Sequence, residues 1–180
     1  MRDAAVVINS CTVTGESDTK VRKLLRRCRR EHPGAVIAVT GCYPQAVDGA
    51  ADALPEADIV MGTRNRAFLP SYVADFLEHR QRIVAIRAHE EGENFEAMQV
   101  GGFEERTRAF VKIQDGCNRY CSYCIIPTAR GPIRSKPLSS ITEELAALAK
   151  AGYRETVLVG INLSAYGEES SLTLPDAIEA

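Results

Sequence analysis

Short apolar runs alternate with amphipathic stretches along the first 87 residues, the pattern of a parallel α/β unit. Ala4 to Ile8 suits a buried parallel strand, and Asn9 to Gly15 follows as a polar loop in which Thr14 or Ser17 can cap a helix. Val21, Leu24, Leu25 and Cys28 then recur at i, i+3, i+4 and i+7, an apolar stripe of helical period that stops near His32-Pro33-Gly34. Ala35 to Thr40 predicts a second buried strand. It runs into Gly41-Cys42-Tyr43-Pro44, with Pro44 suited to a first helical turn. Asp58 to Met61 predicts a third strand, Phe68 to His79 an amphipathic helix and Ile83 to Ile86 a fourth strand.

Periodicity fails over 88–105, where His89-Glu90-Glu91-Gly92-Glu93-Asn94 and Gly101-Gly102 read as an acidic interdomain linker. The βα alternation resumes over 106–180. Arg108 to Ile113 is a strand, Ser140 to Ala151 a helix stopped by Gly152, Thr156 to Val159 a strand, and Pro175 opens another helix. Two successive βα units with polar strand-end loops match the way (β/α) barrels place their sites. Such a barrel takes roughly 200 residues or more. The chain is therefore expected to be a piece of a longer protein, inactive by itself.

Composition narrows the function classes. The 180 residues are 45% hydrophobic and 26% charged, with a formal net charge of −2, enough to bury a core and without a global basic footprint for nucleic acid. No apolar run approaches membrane-spanning length. A cytoplasmic, reducing location with no membrane partner is expected, since nothing resembles a secretory leader and the cysteines suit metal chemistry better than disulfides.

Half of the six cysteines fall in one loop, Asp115-Gly116-Cys117-Asn118-Arg119-Tyr120-Cys121-Ser122-Tyr123-Cys124, a C-x₃-C-x₂-C run straight after a strand. Three thiolates can hold three irons of a [4Fe–4S] cubane. The fourth iron then keeps an open position, as catalytic metals do. A structural zinc site would want a fourth Cys or His nearby, but His32, His79 and His89 all lie upstream; a ferredoxin-type cluster prefers C-x₂-C-x₂-C. Cys11 and Cys42 each follow the C-terminal end of a predicted strand, so they belong on one sheet edge, as cluster ligands or as ordinary buried thiols. Cys28 shares the apolar stripe and reads as a core thiol. Lys20, Arg22, Lys23, Arg26, Arg27, Arg29 and Arg30 form a basic face that either meets phosphate or is simply solvated. Tyr123 is placed to border an adenine. Asn162 and Ser164, in the strand-end loop Gly160 to Gly167, could meet an amine. Arg130, Arg134 and Lys136 could neutralise a carboxylate or phosphate, or face solvent.

These pieces together resemble the radical S-adenosylmethionine (SAM) methylthiotransferases. Asn9-Ser10-Cys11-Thr12-Val13-Thr14 is similar to the family's N-T-C-x-V segment, with Ser10 in place of Thr, and Gly41-Cys42 to its second G-C motif. Asp115 through Lys136, with Ile125-Ile126-Pro127-Thr128-Ala129-Arg130-Gly131-Pro132, resembles its radical loop, and Gly160 to Gly167 its strand-end loop. The resemblance implies an N-terminal parallel α/β methylthiotransferase domain (1–87) followed by the first βα units of a radical SAM partial barrel (106–180). It implies two [4Fe–4S] clusters, one on Cys117, Cys121 and Cys124, the other on Cys11, Cys42 and a third cysteine preceding this chain. It further implies SAM as cosubstrate, an electron donor such as flavodoxin or ferredoxin, and the tRNA anticodon stem-loop as partner. Among the family's substrate classes, the radical loop is most like the threonylcarbamoyl-adenosine type. The alternatives are methylthiolation of isopentenyladenosine in tRNA or of a ribosomal-protein aspartate, a non-enzymatic Fe–S electron-transfer module, and a zinc-stabilised RNA-binding domain.

Overall fold

The computed structural model describes residues 5–12, 14–96 and 107–180. Ala4 of the expected first strand, Val13 and the 97–105 part of the expected linker lie outside them. The chain divides into two compact units, one formed by Met1–His89 with Cys121–Arg130, the other by Glu90–Tyr120 with Gly131–Ala180.

In the first unit, β1 (Ala5–Ser10), β2 (Val36–Gly41), β3 (Ile59–Met61) and β4 (Ile83–Ala85) form an all-parallel sheet in sequence order. The helices are α1 (Gly15–Glu31), α2 (Cys42–Ala46) and α3 (Leu69–His79), the last preceded by a 3₁₀ turn at Arg66–Phe68. All six residues of β2 are buried, as a central parallel strand covered on both faces requires. Ile37 and Val39 pack with Val21 and Leu25 of α1 in one core, while Val36 and Ala38 face Leu69, Val73 and Phe76 of α3 on the other side. That is the period of two along a strand feeding two helical layers. Thr14 caps α1 by accepting the Ser17 N–H. Leu24 departs from the expected stripe: it stands 46% exposed, whereas Cys28 packs against the core.

Much of the basic face of α1 is absorbed by ion pairs. Arg29 donates to Asp58 Oδ2 at 2.6 Å and to the carbonyls of Ala35 and Glu56. Asp58 Oδ2 also accepts the Ile37 N–H at 2.8 Å, so this partly buried pair joins α1 to β2 and to the start of β3. Arg26 pairs with Glu56, Arg27 with Glu31 and Lys20 with Glu16. These outer pairs are exposed and contribute little.

In the second unit, β5 (Ala109–Asp115) is central. It pairs in parallel with β7 (Thr156–Gly160) and, through its last residues, antiparallel with the short β6 (Arg134–Ser135). Helix α5 (Leu138–Lys150) covers the sheet through Ile141 and Leu148, and α6 (Leu174–Glu179) adds Ala177. A Thr173–Asp176 capping box starts α6. Neither β6 nor α4 (Ile126–Arg130, in the first unit) was expected from periodicity, both being too short to show one.

Two buried polar anchors complete this core. Lys136 and Glu144 pair directly while almost wholly buried. Tyr166, 2% exposed, donates to the Lys136 carbonyl at 2.7 Å. Burial, with Glu169 and Asp176 adding to it, raises the Tyr166 pKa above the ordinary 10.0. The folded chain then holds a proton that the unfolded chain releases above pH 10.0, so stability falls as pH rises past that point. Urea titrations below and above it are expected to show a shallower alkaline loss in Tyr166→Phe than in the parent. Equal slopes would mean that the tyrosinate forms at no cost to the fold.

Candidate functional site

The C-terminal end of β5 is tied down before the cysteines begin. Gln114 is fully buried, and all of its polar capacity points at neighbouring backbone. Its Nε2 donates to the carbonyls of Asp115 (3.0 Å) and Gly116 (2.9 Å), and its Oε1 accepts the Asn162 N–H at 2.8 Å. One amide thus fastens the start of the cysteine loop to the loop after β7. Asp115 Oδ1 accepts the Gly116 N–H, and its Oδ2 takes Lys112 Nζ at 2.7 Å. The Cys117 N–H reaches the Gly131 carbonyl at 3.0 Å, and Asn118 Oδ1 accepts the Ile133 N–H, so the loop's two stems are stitched together. Sequence reasoning passed over Gln114; an uncharged polar residue interrupting the apolar run of β5 just before the cysteines was the available signal.

Beyond Cys117 the loop opens to solvent. Tyr120 takes a left-handed backbone (φ 46°) and is 71% exposed, and Tyr123 is 90% exposed. A bulky residue at positive φ is strained, and such strain collects at functional loops. Cys121 and Cys124 share a single turn, closed by the Cys124 N–H to the Cys121 carbonyl at 2.9 Å. Cys117 and Cys124 are half-buried, Cys121 is exposed, and all six cysteines are free thiols.

The first unit brings Cys11 and Cys42 to one edge. Ser10 is in register with Gly41 across β1 and β2, so the cysteines that follow leave neighbouring strands at the same level. Ser10 Oγ donates to the Thr40 carbonyl at 2.7 Å and accepts the Tyr43 N–H, locking the backbone on either side of Cys42. Cys42 is buried at the start of α2, and Cys11 is exposed.

Arg134 and Lys136 do not face solvent. Arg134 pairs with Glu93 at 2.7 Å and lies 3.9 Å from Asp115, and Lys136 is paired with Glu144. These cations neutralise buried carboxylates. Asn162 is half-buried and Ser164 exposed, joined by Ser164 Oγ donating to Asn162 Oδ1 at 2.8 Å; Arg130 is half-buried at the end of α4.

Among the described residues no three His, Cys, Asp or Glu side chains converge closely enough to hold a metal ion. The donor chemistry on the Cys117 loop nevertheless fits an iron–sulfur cluster: three free thiols within eight residues, on an open loop whose two stems are fastened.

Two family models match the chain in series. The uncharacterized protein family UPF0004 covers residues 2–62, and the radical SAM superfamily covers 111–175. Among curated proteins it is 43% identical, over 91% of its length, to the threonylcarbamoyladenosine tRNA methylthiotransferase MtaB of Bacillus subtilis. It is 36% identical, again over 91%, to a tRNA-2-methylthio-N(6)-dimethylallyladenosine synthase of Pelotomaculum thermopropionicum. The chain spans only 36% and 38% of those relatives' lengths. Among solved structures it resembles the radical SAM methyltransferase TsrM of Kitasatospora setae, determined with tryptophan and a SAM analogue. That match has a TM-score of 0.58 at 14% identity and covers 89% of this chain and 37% of the other. The fold expected for a radical SAM segment is thereby borne out.

Proposed function

We propose that this chain supplies the two cysteine-bearing units of a radical SAM enzyme that adds a methylthio group to C2 of N6-threonylcarbamoyladenosine at position 37 of tRNA. The observation that carries the reading is the C-x₃-C-x₂-C loop at the C-terminal end of β5, inside a segment matching the radical SAM superfamily. Cys117, Cys121 and Cys124 would hold a [4Fe–4S] cluster, which when bound supplies the electron for reductive cleavage of SAM.

The chain's own residues do the placing. Gln114 holds the Gly116 carbonyl and the Asn162 amide, so the start of the cysteine loop is tied to the loop after β7. Tyr123 offers an exposed ring beside Cys124 for an adenine. Asn162 and Ser164 present polar atoms for a methionyl amine, and Arg130 a cation for a carboxylate. Cys11 and Cys42 would contribute two ligands to an auxiliary cluster that carries the sulfur to be transferred. A flavodoxin or ferredoxin as electron donor, the tRNA anticodon stem-loop as substrate and a cytoplasmic location complete the proposal. No helix among the described residues is long and apolar enough to cross a membrane.

The threonylcarbamoyl class is supported by the relative of that name at 43% identity and by the radical loop's wording. The relative named for dimethylallyladenosine, at 36%, supports the sister class as second reading. Mass spectrometry of tRNA nucleosides from a gene-deletion strain separates them. The expected outcome is loss of 2-methylthio-threonylcarbamoyladenosine with the isopentenyl counterpart intact. Loss of the isopentenyl derivative alone would transfer the protein to the sister class, and unchanged tRNA would remove it from both.

A further inference from the structure

Within the first unit, a polar cluster joins the helix that begins at Cys42 to the helix that follows Cys124. Thr63, 8% exposed just past β3, donates its hydroxyl to the Ala129 carbonyl of α4 at 2.8 Å. The same hydroxyl lies 3.0 Å from His89 Nε2 and 3.4 Å from Gln45 Oε1. His89 Nε2 also lies 3.4 Å from the same Ala129 carbonyl. From the other side, Gln45 of α2 accepts the Thr63 N–H at 3.0 Å through Oε1 and donates through Nε2 to the Arg87 carbonyl at 2.9 Å. Gly62 leaves the room for this: a Cβ there would stand 1.9 Å from Gln45 Oε1. None of these residues carries thiol chemistry, and a hydrogen-bonded cluster of this kind is unnecessary merely to close a β3–α3 connection.

We propose that Gln45, Thr63 and His89 are positioning residues that latch α4 to α2, holding the segment with Cys121 and Cys124 and the helix headed by Cys42 as one body. The inference rests on the proposed function for its consequence, coupling of sulfur transfer to SAM cleavage, but not for the latch itself. Without the latch each set of thiols keeps its own local scaffold, so cleavage should survive while transfer suffers.

The test has two arms. In the metal-free chain, Thr63→Val removes the hydroxyl at nearly constant volume, and with it the 2.8 Å bond to the Ala129 carbonyl and the contact with His89 Nε2. Gly62→Ala displaces Gln45 without altering Thr63. Both are expected to speed hydrogen exchange of the Ala129 amide, which bonds to the Ile125 carbonyl, by about tenfold, with Thr63→Ser restoring protection. Unchanged exchange in both variants overturns the latch. In the complete gene product, loaded anaerobically with iron and sulfide, Thr63→Val is expected to keep 5′-deoxyadenosine formation within about twofold while methylthiolated product per 5′-deoxyadenosine falls about tenfold. Parallel loss of both would overturn the coupling role and leave Thr63 an ordinary scaffold residue. Absence of SAM cleavage in the parent protein would defeat the functional reading instead, and the exchange arm would still decide the latch.

Discussion

Cys117→Ala is expected to strip nearly all iron from the chain, which after anaerobic reconstitution should carry about four irons, one cubane. The expectation follows from the distribution of thiols. The Cys117 loop holds three free cysteines within eight residues, whereas the first unit offers Cys11 and Cys42 at one sheet edge, two ligands where a stable cubane needs more. Removing one of three ligands from the loop leaves two thiolates on each site. Cys28→Ser is the matched control. Its thiol packs beside Val21 and Leu25 in the core of the first unit and should change iron content little. Iron, zinc and acid-labile sulfide measured on the same samples decide the matter. Zinc in place of iron, or iron indifferent to Cys117→Ala, would remove the radical SAM assignment and revive a zinc-stabilised fold.

Why the thiols could be read from the chain while their surroundings could not is a matter of range. Apolar runs marked the first two strands, Ala4 to Ile8 and Ala35 to Thr40. Of these, β2 is buried throughout as expected of a central parallel strand, whereas β1 lies at the sheet edge with Val7 half exposed. Residues that follow equivalent strand ends had to share an edge. The cysteine loop was legible because its ligands are local. Cations carry no such mark. Arg134 and Lys136 read as candidates for a carboxylate or phosphate, yet their partners, Glu93 and Glu144, lie 41 and 8 residues away, and only the closed fold shows those charges already spent. Leu24 failed for a related reason: the i+3 position of a short stripe can turn outward when α1 needs only Val21, Leu25 and Cys28 to meet its sheet. Gln114 and Thr63 were illegible because each acts through backbone atoms of distant segments, which no side-chain pattern announces.

Gly116→Ala should be the most damaging single substitution in the cysteine loop that leaves every thiol in place. Gly116 has φ 76°, and a Cβ there would lie 1.8 Å from the Pro132 carbonyl oxygen and 2.7 Å from that of Gly131. Both obstacles are backbone, so no side chain can swing aside. They also belong to the opposite stem, where the Cys117 N–H meets the Gly131 carbonyl. Relief therefore requires the stems to part, which breaks that bond and strains the Gln114 bond to the Gly116 carbonyl. Gly152 provides the comparison, because it too has positive φ, 97°, but nothing within 4 Å of a Cβ. Gly152→Ala is expected to cost only the left-handed penalty of an L-residue, about 1–2 kcal/mol. Gly116→Ala adds the backbone collision and should reach on the order of 4 kcal/mol, at the upper end of single-residue effects. Urea unfolding of the two variants, with iron content after reconstitution as the second readout, separates the terms. Gly116→Ala is expected to lose both stability and most of its iron, whereas Gly152→Ala loses a little stability and keeps its iron. Equal destabilisation would show that the two stems move apart freely, and that the Cys117 arm is not fixed by its closure against Gly131 and Pro132.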